Sequence, residues 1–283
     1  MRVAAVQTNA GPDRDQNLRA AGELVAAAAG AGAELVVLPE YFSVAGDPGV
    51  LRRSAESLSG PTVTWAADLA QRWAVRLVAG SFPERPDPDA GTGGRLFNTS
   101  CLIGPTGAVE AVYRKIHLFD VDVEGATSRE SATMAPGDRV VVSPLDPWPP
   151  GLGGSPPMIG LSICYDLRFP EMYRVMALAG ARVAVVVAAF TAATGPAHWE
   201  VLLRARAVEN EIFVIAAGQV GRLPAGMPPC HGRSMIVDPW GSVIAERSEP
   251  TPGVVLADLD PDRQLQIRSQ LPVLANRRPD AYR

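Results

Sequence analysis

Cysteine and histidine are scarce in this chain of 283 residues, with three of each. Cys101, Cys164 and Cys230 form an odd, widely spaced set, which excludes a disulfide-stapled scaffold and matches no zinc-ligand spacing. Long hydrophobic runs are also missing. The longest, over residues 183–190, is β-branched and strand-length, well short of the roughly 20 residues a bilayer-spanning helix needs. No excess of one charge sign exists: the net charge is −4 and the 26 basic residues are scattered, so nothing points to nucleic acid. The N-terminal Met1-Arg2-Val3-Ala4-Ala5-Val6-Gln7 enters a strand pattern directly, so no targeting segment is expected. Unpaired cysteines fit a reducing compartment, and a cytoplasmic location is expected.

What is present is an ordinary globular composition, 47% hydrophobic and 20% charged, with length for a substantial core. Strand and helix patterns alternate, which argues for an α/β fold. Strands are expected at residues 2–7, 34–38, 75–81, 96–103, 108–113, 158–163, 183–189, 211–217, 234–237, 242–246 and 253–259. Helices are expected at 14–29, 62–73, from Pro170 to a stop at Gly180, at 197–210 and at 261–270. Residues 83–94, 116–136 and 143–157 read as loops. No tandem repeat is found, yet the strand–helix count roughly doubles between the halves, as two sheets packed face to face between helices would require. One domain over residues 1–283 is expected, ending in a basic, proline-punctuated tail from 272.

The chemistry concentrates at Ile163-Cys164-Tyr165-Asp166-Leu167-Arg168-Phe169-Pro170-Glu171. An apolar strand delivers one thiol to a sharp change of structure before a helix with proline in its first turn. There, unpaired backbone N–H groups favour a thiolate or a developing oxyanion. By itself the stretch fits a packed core thiol equally well. Glu40 and Lys115 also follow strands, and in α/β sheets sites form outside the carboxyl ends of strands. The three ends can converge. A carboxylate would take the thiol proton, the thiolate would attack a carbonyl or nitrile carbon, and the ammonium would stabilise the tetrahedral intermediate. Each residue alone is weak evidence: Glu40 also reads as a loop acid and Lys115 as a solvated lysine.

Three blocks in order, Leu38-Pro39-Glu40-Tyr41-Phe42, Tyr113-Arg114-Lys115-Ile116-His117-Leu118-Phe119-Asp120 and the Cys164 stretch, resemble the signature blocks of the nitrilase superfamily of carbon–nitrogen hydrolases. The similarity runs from Val3 to Tyr282. The resemblance implies a four-layer αββα sandwich, a thioester intermediate, no metal or cofactor, and frequent homodimers. It makes Glu40 the base, Lys115 the oxyanion stabiliser and Cys164 the nucleophile, and marks Glu130 as a second site glutamate. Residues 189–210 are similar to the omega-amidase and deaminated glutathione amidase branch, in which Arg168 would hold a substrate carboxylate by a two-pronged hydrogen bond, with Tyr165, Phe190 and Thr194 lining the same pocket. A structural pairing of Arg168 with Glu171 or another acid is the alternative.

The activity expected is thiol-dependent hydrolysis of a small carboxylate-bearing amide by water. An N-carbamoyl hydrolase, a nitrilase and a catalytically silent interaction module on the same fold are the alternatives. His117, His198 and His231 are expected to be structural or pocket-edge groups, and Cys101 a strand-interior thiol. Met172, Tyr173 and Met176 are expected on the exposed side of the helix after Cys164, where with the 272–283 tail they would serve a two-fold homodimer. Residues 143–157 and 221–230 depart most from the family pattern, and substrate choice is expected to vary there.

Overall fold

The computed structural model describes residues 1–149, 156–223 and 227–282. The first sheet begins with β1 (Arg2–Gln7), followed by α1 (Arg14–Gly30), β2 (Leu35–Val37), α2 (Pro48–Ser54), α3 (Pro61–Trp73) and β3 (Arg76–Val78). Asp13 starts α1 by accepting from the Gln16 N–H at 3.0 Å, and Leu18, Ala21, Val25 and Ala28 line its buried face at helical spacing. Proline in the first turn opens α3, and Ala74 in the left-handed region closes it. β4 (Phe82–Glu84), β5 (Phe97–Ile103) and β6 (Val109–Arg114) extend the sheet, ordered β1-β2-β3-β5-β4 with β6 on β5.

A small hairpin, β7 (Asp120–Val123) and β8 (Ala126–Arg129), precedes the second sheet. That sheet comprises β9 (Val141–Pro144), β10 (Met158–Ile163), β11 (Ala181–Ala188) and β12 (Phe213–Gly218), with α4 (Pro170–Leu178) and α5 (Gly195–Asn210) between its parallel strands. A short pair, β13 (Val220–Gly221) and β14 (Cys230–His231), leads to β15 (Met235–Val237) and β16 (Val243–Glu246). The order is β16-β15-β12-β11-β10-β9. β17 (Gly253–Asp258) then returns to pair antiparallel with β1, and α6 (Pro261–Gln270) follows.

Alternation of side chains sets the layers. Val3 and Ala5 of β1 join the core shared with Ile159, Leu161 and Ile163 of the second sheet, whereas Ala4 and Val6 pack with Val25 and Ala66 of α1 and α3. Because α4 and α5 cover the other face of the second sheet through Met176, Trp199 and Leu203, the layers run α, β, β, α. This is the expected sandwich.

Several local readings need correction. Met172, Tyr173 and Met176 are buried, at most 4% exposed, because α4 lies on the second sheet with Met176 against Gly160. Val175 and Leu178, about half exposed, form its outer face. Residues 116–136 carry the β7–β8 hairpin with a turn at Glu124 and Gly125, and α2, β4 and β9 form where no helix or strand is expected from the sequence, β4 and β9 overlapping the expected loops at 83–94 and 143–157. Parts of the 143–157 and 221–230 loops, residues 150–155 and 224–226, lie outside the described residues.

Candidate active site

Glu40, Lys115 and Cys164 follow β2, β6 and β10, and the face-to-face sheets bring these three ends together. The Glu40 turn is tightly built. Ser81 N–H donates to the Pro39 carbonyl at 3.2 Å, and Gly80, at φ +39°, lies so close beneath that carbonyl that a Cβ would collide with it. Tyr41 adopts φ 55° and donates its N–H to Ser81 Oγ at 3.1 Å, while Gln219 Nε2 donates to the Glu40 carbonyl at 3.0 Å.

The Glu40 side chain is 2% exposed. Its Oε2 accepts the Ala189 N–H at 2.7 Å, and its Oε1 accepts Lys115 Nζ at 3.0 Å and Asn98 Nδ2 at 2.9 Å. Lys115 is equally buried and donates also to Glu130, at 3.1 Å to Oε1 and 2.9 Å to Oε2. Glu130 accepts further bonds from Phe119 N–H at 2.7 Å, Asn98 Nδ2 at 3.3 Å and Tyr41 OH at 3.4 Å. One ammonium thus sits between two carboxylates. Burial alone would lower the Lys115 pKa, but Glu130 and Glu40 outweigh it and raise it well above the ordinary value, so the ammonium stays charged. Burial, followed by the charge of Glu40, pushes the Cys164 thiol well above 9.0, with Lys115 opposing. At neutral pH Cys164 is therefore a thiol, and it could act as a nucleophile only with a base to deprotonate it.

Cys164 opens a 3-10 turn, Cys164–Arg168, at φ 47°. A side chain in this left-handed conformation stands off the strand it ends, and β-carbon crowding makes the conformation costly unless the surroundings hold it. Two cavities meet at the thiol. The larger, about 350 Å³, is lined by Glu40, Lys115 and Glu130, by Leu51 of α2, by Thr127 of the hairpin and by Met227. The narrower, about 10 Å³, is lined by Tyr165, Arg168, Phe190 and Thr194. Phe119, Cys164, Ala189 and Thr191 border both.

All eight residues read from the sequence as site groups thus line one or other of these two adjoining cavities. Arg168 donates to His198 Nδ1 at 3.2 Å and lies 5.3 Å over the Phe190 ring and 5.8 Å over Tyr165, and its partners among the described residues include no acid. Glu171 is not its partner. His117 bonds Asp166 and His198 bonds Arg168, so neither serves the thiol. Cys101 lies inside β5, its pKa pushed up to about 12 by burial. Sequence reasoning missed Asn98, Gln219 and Asp166. The available signal was a fully buried amide or acid inside an apolar stretch, which must be hydrogen-bonded to something.

A buried thiol beside a carboxylate and a held ammonium defines a thiol-dependent hydrolase site. The carbon–nitrogen hydrolase family profile matches residues 2–268, and the chain belongs to that family. It is 44% identical over 277 residues to a deaminated glutathione amidase of Synechocystis, covering 97% of each chain. Among solved structures it is similar to Saccharomyces cerevisiae Nit3, a member of branch 10 of the nitrilase superfamily, at TM-score 0.85 and 30% identity, covering 98% of this chain and 96% of that one. It is also similar to an amidase variant from Nesterenkonia in which acrylamide has added to the active-site cysteine, at TM-score 0.75 and 28% identity, covering 100% and 98%. The protein is an enzyme, a carbon–nitrogen hydrolase.

Proposed function

We propose that this enzyme is an amidase cleaving short amides that carry a carboxylate on the acyl half, through a thioester on Cys164. Glu40 removes the thiol proton as Sγ attacks the carbonyl carbon, and Lys115 stabilises the oxyanion. Collapse breaks the C–N bond, and the amine leaves with the proton held by Glu40. Water, deprotonated by Glu40, then cleaves the thioester to release the acid and restore the thiol. Glu130 holds Lys115 in place throughout.

The observation that carries this reading is the division of the space at Cys164. Glu40, which must protonate the leaving amine, lines only the larger cavity, whereas Arg168 lines only the narrow one. The amine half therefore leaves into the larger cavity, and the acyl half is directed toward Arg168, whose guanidinium fork suits a carboxylate. The space there, about 10 Å³, is no more than one water needs, so this reading requires the Arg168 side chain to move aside on binding. A volume of about 350 Å³ exceeds the share of one small molecule such as ammonia, about 30 Å³ for a water in the liquid, so substituted amines are admitted as well. This accords with the deaminated glutathione amidase to which the chain is similar. A panel of α-keto acid amides, N-substituted and unsubstituted, beside N-carbamoyl amines and nitriles tests the assignment. Turnover of the carbamoyl compounds or nitriles above the amides would overturn it.

We also propose a single domain that assembles as a two-fold dimer in the cytoplasm. Val175, Leu178, Val201 and Val208, each 44% exposed or more on the outer sides of α4 and α5, support an apolar interface, and the 272–283 tail would extend it. The three cysteines are free, in accord with a reducing compartment.

A further inference from the structure

We infer that Asp166 is a positioning residue that clamps the nucleophile turn to the lysine strand across the two sheets, with His117 as its side-chain donor. The inference rests on the assignment of Cys164 and Lys115 above. Asp166 lies two residues after Cys164 and is fully buried. Its Oδ2 accepts the Ile163 N–H at 2.8 Å and the Tyr113 hydroxyl at 2.6 Å. Its Oδ1 accepts the His117 N–H at 3.1 Å and His117 Nδ1 at 2.8 Å. A carboxylate only accepts, so Nδ1 carries the proton. The donors flank both catalytic residues: Ile163 immediately precedes Cys164, while Tyr113 and His117 lie two residues either side of Lys115.

Chain direction explains why this link matters. Tyr113, near the end of β6, and His117, at the bend beyond Lys115, both reach Asp166, whereas Arg114 turns the other way to pair with Glu84 at 2.6 Å. Lys115 belongs to the first sheet and Cys164 to the second, so their separation depends on how the sheets are joined at this end. Asp166 makes that join beside the thiol. It also ties the N–H of Ile163, the last residue of β10, to the third residue of the turn, bracing the left-handed backbone at Cys164.

Asn cannot replace Asp166. Whichever way the amide faces, its NH₂ meets a fixed backbone N–H, that of Ile163 or of His117, and one donor pair must separate. Displacing the thiol from its partners by an ångström costs on the order of a hundredfold in rate. The distinguishing readout is the rate of alkylation of Cys164 by methyl vinyl ketone, a small Michael acceptor with no amide to be hydrolysed, followed residue by residue by mass spectrometry, because that rate depends on how the thiol is placed and deprotonated and needs no bound substrate. Asp166→Asn is expected to slow this alkylation and kcat together, by about tenfold to a hundredfold, with KM little changed. Val214→Ala, a cavity in the core of β12, serves as the comparison for lost stability alone.

His117 separates bonding from packing, since its ring also stacks on Phe169 at 3.6 Å. Asparagine places its Nδ2 where Nδ1 stood, so His117→Asn keeps the donor and loses the stack, and His117→Phe does the reverse. His117→Asn is expected to alkylate near the native rate and His117→Phe to be slow. The inference is overturned if His117→Phe outperforms His117→Asn, or if folded Asp166→Asn reacts as fast as Val214→Ala. Should Asp166→Asn not fold, the His117 pair decides.

Discussion

Replacing Glu40 by Gln removes the base and keeps one amide oxygen that can accept from Lys115 and Asn98, while the NH₂ faces the Ala189 N–H and that bond is lost; the fold is expected to be retained, with the proton route as the main loss. The magnitude follows from the thiol. A group titrating at 9.0 is about 1% ionised at pH 7, and burial together with Glu40 puts Cys164 well above that value. Without a base, attack must wait for free thiolate, so turnover at pH 7 should fall by at least about a hundredfold, within the 10²–10⁴ range of general-base catalysis.

The pH dependence gives the sharper test. With Glu40 as the base, alkylation of Cys164 by methyl vinyl ketone in the native enzyme should not depend on free thiolate, so the rate should be nearly flat around neutrality. In Glu40→Gln the rate should climb about tenfold per pH unit, because each unit raises the thiolate fraction of an unionised thiol tenfold. Stopped-time alkylation read at Cys164 by mass spectrometry measures both profiles. Cys101 and Cys230, pushed up to about 12 by burial, remain slow and act as internal references. A Glu40→Gln enzyme with a flat profile and turnover within about threefold of native would refute the assignment of Glu40 and the reasoning about Cys164 together.

The remaining expectations are more direct. Acid quench during turnover should find the acyl group on Cys164, and Cys164→Ala should lose both the adduct and the activity. Arg168→Met should cost about thirty- to a thousandfold in kcat/KM on a carboxylate-bearing amide, the range for one lost charge-assisted pair of roughly 2–4 kcal/mol, and far less on a neutral amide. Equal losses would make Arg168 structural. Glu130→Gln removes the largest influence raising the Lys115 pKa, so the alkaline limb of kcat/KM against pH should move to lower pH than in the native enzyme. Light scattering at micromolar concentration should find about twice 29.9 kDa, and a particle of 29.9 kDa would refute the dimer.

Much of this was legible because the site lies at strand ends. The strand before Cys164 and the proline after it are both strong local signals, so the turn that presents the thiol could be located to the residue. Glu40 and Lys115 were visible as strand-end residues but became a set only through the three ordered blocks. The β7–β8 hairpin was not legible: each strand is four residues of mixed polarity, too short for period-two alternation to rise above loop composition, yet Thr127 and Arg129 from it line the larger cavity. On α4 apolar residues occur on both sides, so the sequence could not say which face met the sheet, and the buried side was taken for the exposed one. Asn98 was hidden for another reason. One amide near the start of a strand carries no mark that it donates to two carboxylates that lie far from it in sequence.

Those two carboxylates bear on how the reaction is driven. At rest the buried site holds Glu40 and Glu130 as anions, Lys115 as the cation and Cys164 as the thiol. In the mechanism proposed above, when Glu40 takes the thiol proton and the substrate oxygen becomes an oxyanion, one negative charge disappears from Glu40 and one appears at that oxygen, both beside the same ammonium. The charge moves across Lys115 and is not created in a dry cavity, which avoids the large cost of an uncompensated buried ion. This works only if Lys115 stays charged and fixed while its bond to Glu40 weakens. Glu130, held by Phe119 N–H and gripping Nζ through both oxygens, provides that fixed partner. Asn98 supplies a donor to each carboxylate and keeps the two anions from collapsing onto the same side of the lysine. The second glutamate is thus what allows the first to give up its charge without releasing the ammonium that receives the oxyanion.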